Sequence, residues 1–168
     1  MFLRSIVLSS ILAATASAFV ATSTGAQEIG IAIGKRAPSA IVQTLDGKAV
    51  DLGSYVGRAP MLIEFWATWC PQCHELEPTL VAAQKKYAGK MKFIGVAVSI
   101  RQSPGRLKAY QAKHKLPYEI LFDANANASD AYEVPATSYV VIVDRRGKIV
   151  YTGLGGSQNL EAAIRKAL

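Results

Sequence analysis

Two cysteines, Cys70 and Cys73, stand three positions apart in the stretch IEFWATWCPQCHELEP, Ile63 to Pro78, and the chain has no others. Such a pair could ligate a metal, cross-link the chain, or exchange disulfides. A tetrahedral zinc site needs four ligands, and the histidines that might add to the pair are His74 and His114. His74 follows Cys73 on a helical segment and should point away from it. His114 sits near a helix end, where the dipole favours a protonated ring. Both read as surface histidines, so no metal is expected. A bridge over two intervening residues closes a tiny loop and removes little chain entropy, which makes it a poor staple. Exchange fits better. Cys70 falls where a helix begins, and backbone N–H groups facing its sulfur lower the thiol pKa. Cys73, one turn further in, is expected to be the more buried. One thiol then attacks and the other resolves the mixed disulfide. Pro71 suits the first helical turn, where its missing N–H would be unpaired anyway.

Glu64 is the lone acid in the apolar run PMLIEFW, six positions before Cys70. Burying a carboxylate is expensive, so its pKa should rise. An acid so tuned could take the proton of Cys73 during exchange. The plainer alternative is a carboxylate that reaches water at a strand end.

The elements around these residues follow from periodicity. SAIVQTLDGKAVDL reads as a hairpin about Asp46-Gly47. PMLIEFW and MKFIGVAVSI read as strands buried on both faces. From Pro71 to Tyr87 the residues Leu76, Leu80, Val81, Ala83 and Tyr87 recur at helical spacing, Gly89 stops the run, and Pro78 inside it should kink it. Ser103 and Pro104 open a second helix. YEILFD is a short strand, 127–132 a weak helix, and SYVVIVDRRGKIVYTG a hairpin with Gly147 supplying the positive φ. Ser157 is expected to cap a last helix running to Lys166. The sum is an α/β fold, a mixed sheet with helices on both faces.

The whole chain frames this. Its 168 residues suit one domain, 51% are apolar and 18% charged, and the formal net charge is +7. Arg4 is the only charge before Glu28, an apolar stretch runs from Ile6 to about Val20, and small residues follow at Ala16-Ser17-Ala18 and Thr24-Gly25-Ala26. Residues 1–26 therefore read as a signal peptide, cleaved at the later site or, alternatively, at the earlier one. The other reading is an uncleaved membrane anchor, for which the apolar core is short. Residues 27–37 read as a short linker, and 38–168 as the domain. Removing 1–26 takes Arg4 from the 19 Lys and Arg, leaving 18 against 12 Asp and Glu, net +6. The cations are scattered with no interleaved aromatics, so no nucleic-acid partner is expected.

FWATWCPQC resembles the active-site segment of thioredoxin-fold proteins. The longer RAPSAIVQTLDGKAVDLGSYVGRAPMLIEFWATWCPQCHELEP, with VPATSYVVIVDRRGKIV following, resembles the exported TlpA/ResA/CcmG-type thiol–disulfide oxidoreductases. The resemblance covers most of the chain after the leader. It implies a thioredoxin-like mixed β-sheet flanked by helices with an added N-terminal β-hairpin, and a Cys70–Cys73 redox disulfide. It implies that Pro135 is a cis-proline packed against the pair. It also implies that Val134 offers backbone groups to a substrate strand, with Trp69 and Pro71 on the docking surface. Cofactors are not implied. Two departures stand out. Many TlpA-like chains carry glutamate three positions after the second cysteine, where this one has Leu76 between Glu75 and Glu77. Glu64 instead matches the buried acid of thioredoxin. The dipeptide Pro71-Gln72 places proline first, as in some maturation reductases and in DsbA-like oxidants, which leaves the direction of electron flow open. A peroxiredoxin would carry Thr or Ser three positions before its cysteine and Pro seven before; Ala67 and Ile63 stand there. The expectation is an exported, periplasmic, monomeric reductase of protein disulfides, with a membrane electron donor and apocytochrome c cysteines among the candidate substrates. The alternative is a copper-handling or cytochrome-assembly chaperone using the same two thiols, which a tight one-to-one Cu(I) complex would favour.

Overall fold

The computed structural model describes residues 29–168. The expected signal peptide or anchor and its cleavage sites lie outside them. Among the described residues no helix is long and apolar enough to cross a membrane.

Seven strands form one sheet: β1 (Ile41–Thr44), β2 (Ala49–Asp51), β3 (Met61–Trp66), β4 (Lys92–Val98), β5 (Glu119–Asp123), β6 (Tyr139–Val143) and β7 (Ile149–Leu154), in the order β2-β1-β5-β4-β3-β6-β7. β3, β4 and β5 run parallel, and the flanking pairs are antiparallel. This is the mixed α/β sheet of a thioredoxin-like fold with the expected N-terminal hairpin on its edge. Gly47 (φ 83°) and Gly147 (φ 82°) make the turns of the two hairpins, as glycine does where φ must be positive.

β3 is buried along its whole length, and side chains of a strand alternate between faces. Met61, Ile63 and Phe65 pack with Val141, Tyr132 and Tyr139 in one core. Leu62, Glu64 and Trp66 face the other side, where Leu62 packs on α1 (Pro71–Tyr87) and Trp66 lies in the cluster holding both cysteines. Glu64 is thereby placed between the two clusters on the α1 side.

α1 buries Cys73, Leu76, Leu80, Ala83 and Tyr87, a stripe at helical spacing, and Pro78 stands inside the helix without ending it. Full burial of one leucine stabilises by roughly 1.5–3 kcal/mol. Leu76 is part of this core. α2 (Pro104–His114) starts as expected, the Ser103 hydroxyl accepting from the Arg106 N–H. The short α3 (Asn127–Ala131) is capped from outside itself. Fully buried Asp123 accepts from the N–H groups of Ala128 and Ser129 and from the Ser129 hydroxyl.

Two expectations need revision here. The last helix, α4 (Leu160–Ile164), starts later than Ser157. The Ser157 hydroxyl donates instead to Glu75 at 2.8 Å, and the Asn159 side chain caps the helix by accepting from the Ala162 N–H. The described part of the supposed linker is also not a spacer. Ile31 is buried in the core, Gly34 N–H donates to Ile149 O, Ile149 N–H to Lys35 O, and Ala37 N–H to Gly147 O. Residues 29–37 thus lie along the start of β7. Their sequence shows no period because Gly30 and Gly34 take positive φ.

Candidate functional site

β3 delivers the chain to α1 through Ala67-Thr68-Trp69, and Cys70 is the N-cap of that helix. Its sulfur accepts the Cys73 N–H at 3.1 Å, the bond that a capping oxygen would make. Cys70 and Cys73 form a disulfide with Cα atoms 5.3 Å apart. The expected difference in burial is absent, since Cys70 is 2% and Cys73 4% exposed. What distinguishes them is position on the helix. Cys70 receives the amide and the positive dipole end, and Cys73 lies within the first turn.

Trp69 is 37% exposed. Its indole N–H donates to Ile100 O at 2.8 Å, and the Arg101 guanidinium lies 5.5 Å from its ring centre. The Gln102 amide meets the Thr68 hydroxyl at 3.1–3.2 Å. The β4–α2 loop is therefore stitched to the cysteine turn. Pro71 is exposed at the start of α1.

Glu64 is 4% exposed and its Oε1 has no hydrogen-bond partner. Leu62, Leu80, Phe93, Ile94 and Tyr118 surround it. Burial, and secondarily the negative charge of Glu77, pushes its carboxyl up to about 8. The strand-end alternative fails for a residue only 4% exposed whose Oε1 is sealed from water. Across the sheet Glu64 is paired with Gly95. A Cβ there would sit 2.9 Å from the Trp66 indole nitrogen and 2.8 Å from Ile120 Cδ1, so only glycine leaves room for Trp66.

Pro135 departs from expectation. The structure contains no cis peptide bond among the described residues, so Val134–Pro135 is trans. The cis-proline role does not hold. The chain turns here by positive φ at Glu133 (51°) and Ser138 (62°), which removes the geometric need for a cis bond, and trans is the lower-energy X–Pro form. Val134 is also more committed than expected. Its N–H donates to Ser129 O at 2.9 Å, so only its carbonyl can serve an incoming strand. Val134 and Pro135, with Val98 and Ile100, line a groove of about 290 Å³.

One group of residues went unnoticed in the sequence. Glu77 accepts from the Tyr110 hydroxyl at 2.7 Å and pairs with His114 Nδ1 at 2.8 Å. Tyr110 stacks on His114 with ring centres 3.8 Å apart, and His74 stacks on Tyr110 at 5.8 Å while its Nε2 donates to Thr68 O. The histidines are thus not idle surface groups; they tie α2 to α1. The spacings 74/77 and 110/114 on two helices are the signal that could have found this cluster. Among the described residues no group of three or more His, Cys, Asp or Glu could hold a metal ion.

The Redoxin family pattern matches residues 32–168. Thioredoxin-like protein YneN of Bacillus subtilis (strain 168) is 32% identical over 141 residues, 82% of each chain. Thiol-disulfide oxidoreductase ResA of Bacillus cereus is 26% identical over 136 residues, 80% of this chain and 78% of its own. A secreted Mycobacterium tuberculosis disulfide oxidoreductase homologous to E. coli DsbE matches with a TM-score of 0.64 at 25% identity, over 76% of this chain and 93% of its own. With the cysteine pair at the head of α1, these likenesses make the chain a member of the Redoxin family and a thiol–disulfide oxidoreductase of the ResA/DsbE type.

Proposed function

We propose that the protein is an exported reductase of protein disulfides in which Cys70 attacks, Cys73 resolves and Glu64 handles the proton. The observation that carries the assignment is the Cys70 sulfur at the N-cap of a 17-residue helix, accepting the Cys73 amide. A sulfur so placed is stabilised as thiolate. It attacks one sulfur of the substrate cystine, forming a Cys70–substrate disulfide and expelling the other substrate sulfur as thiolate. Glu64, in its ionised form, then takes the proton of Cys73, and the Cys73 thiolate attacks the Cys70 sulfur. The mixed disulfide breaks, the second substrate thiolate leaves, and the Cys70–Cys73 disulfide remains. In that oxidised state a carboxyl held at about 8 keeps its proton at neutral pH. The proton is then available to Cys73 when a dithiol donor reopens the bridge.

Export is supported by the apolar, nearly uncharged residues 1–26 and by the secreted relative. A membrane electron donor fits a compartment without a glutathione pool. Apocytochrome c cysteines are one substrate class that fits. Trp69, Pro71 and the Val134 carbonyl form the docking surface, and the protein works as a monomer.

The reduction potential tests the direction of flow. A value near about −270 mV supports the reductase, and one near about −120 mV would reassign the protein as an oxidant. Limiting iodoacetamide at pH 7 should label Cys70 first, and Cys73→Ser should trap substrate where Cys70→Ser does not. Preferential labelling of Cys73 would overturn the roles.

A further inference from the structure

Between the cysteine turn and α2 runs a second groove, of about 400 Å³, lined by Thr68, His74, Arg106, Tyr110, Lys113 and His114, with Ala109 completing it. Its charge is unlike that of the Val134–Pro135 groove, whose only charged lining residue among the described residues is Asp130. The Tyr110–His114 stack is built into it, and the acid beneath, Glu77, is engaged by both rings. Arg106 and Lys113 are exposed, and no carboxylate lies within 4.0 Å of either among the described residues. Arg106 Nη1 donates to Arg101 O at 3.2 Å, and Arg101 lies over Trp69. Three cations therefore run from the rim of the cysteine turn along α2.

We infer that this groove binds acidic side chains of the substrate polypeptide, close to the cystine that Cys70 attacks. Asp or Glu near that cystine pairs with Arg101, Arg106 and Lys113, and an attached chain lies over the Tyr110–His114 stack. Unpaired cations beside a reactive centre raise the local concentration of oppositely charged substrate and its rate of encounter. Pairs at this exposure are individually weak, so the effect is one of selection and on-rate and fades with salt. The proposal rests on the reading of the protein as a reductase of polypeptide disulfides.

The test uses three peptides with the same internal cystine, flanked by Asp and Glu, by Ser and Gly, or by Lys. Reduction of each by the full chain, regenerated with dithiothreitol, is followed at about 20 mM and about 500 mM salt, which brackets the screening range. At low salt kcat/KM for the acidic peptide should exceed that for the neutral one by about tenfold, shrinking to about twofold at high salt. Lys113→Glu, which leaves the Arg106–Arg101 contact in place, should reduce the preference by about threefold, and Arg106→Glu with Lys113→Glu should turn it toward the Lys peptide. The neutral peptide should be reduced within about twofold of the parent rate by both variants, which shows that they fold and react. An acidic-to-neutral ratio unchanged in the double variant overturns the inference while leaving the reductase intact. If the parent chain does not reduce the neutral peptide, the reductase reading fails and the inference falls with it.

Discussion

Glu64 and Glu77 are two carboxylates on neighbouring elements, and the fold treats them in opposite ways. Glu64 stands on β3, sealed between leucines and aromatics, with one oxygen unpartnered and no cation among the groups that shift it. Glu77 stands on α1, partly exposed, and receives the Tyr110 hydroxyl and the His114 ring. A buried acid without a counter-charge is held neutral, because desolvation penalises only the ionised form. An acid that faces two donors has its acceptor oxygens satisfied. The pair thus separates two jobs. Glu64 holds a proton inside the core, the group that the proposed exchange uses, and Glu77 fastens α2 to α1. They also interact, since the charge of Glu77 is the second cause of the rise at Glu64.

The largest effect that can break this contrast is the pH dependence of stability. The folded carboxyl of Glu64 sits at about 8 against 4.5 for an ordinary glutamate. Between those values the folded chain holds a proton that the unfolded chain has released, so stability falls as pH rises. It is highest below about 4.5 and has lost on the order of 4 kcal/mol by about pH 8. Glu64→Gln should remove most of this slope. In urea titrations of the oxidised protein the variant should gain several kcal/mol over the parent at pH 8 and differ little at pH 5, where both side chains are neutral. A parent stability that stays flat from pH 5 to 8 would mean that Glu64 ionises freely.

The same substitution sharpens the contrast kinetically. Glu64→Gln should slow resolution of a preformed Cys70 mixed disulfide about 100-fold at pH 7, the lower end of what a positioned base contributes. The initial attack by Cys70 should change by less than about threefold, because on the proposed roles that thiol relies on the helix end and not on Glu64. Equal slowing of both steps would assign Glu64 to general packing.

How much of this was legible in the sequence differs between the two acids. Glu64 announced itself as one charge in PMLIEFW, a run that reads as a strand buried on both faces. The CxxC at a helix start and both hairpins were readable for similar reasons, each being a local signal. Glu77 was noted only as a neighbour of Leu76, because its importance depends on α2 and no local pattern says which face of one helix meets another. The peptide bond before Pro135 was misjudged for a related reason. The resemblance supplied a cis-proline, whereas this chain turns with positive φ at Glu133 and Ser138, residues with no particular preference for it. The role expected of Ser157 failed because Glu75, distant in sequence, claims its hydroxyl.

The remaining predictions concern Glu77 and are smaller. Glu77→Gln keeps the shape, weakens the bonds to Tyr110 and His114, and should cost about 1–2 kcal/mol at pH 7. It should also lower the pH at which Glu64 titrates, because one of the two causes of its rise is gone. The two effects point in opposite directions at pH 8, where relief at Glu64 offsets part of the loss at Glu77. The urea midpoints of parent and Glu77→Gln should therefore converge as pH rises from 6 to 8.

The smallest change is Tyr110→Phe. The ring stays on His114 and near Trp66, at 3.8 Å and 5.2 Å between centres, and only the 2.7 Å bond to Glu77 is lost. Glu77 keeps His114 at 2.8 Å, so the cost should be about 1 kcal/mol or less. Removing the hydroxyl leaves Glu77 with one donor instead of two. If the carboxylate is what ties the helices together, His114→Phe on top of Tyr110→Phe should cost more than the sum of the single changes, because the second loss leaves the charge with neither partner. If the stacked rings do the fastening, the two costs should add, and the double variant should keep the stability expected of two intact aromatic contacts. A double-mutant cycle by urea unfolding at pH 7 separates these outcomes. Strict additivity would show that Glu77 is a passive neighbour of the stack and that the contrast with Glu64 is one of burial alone.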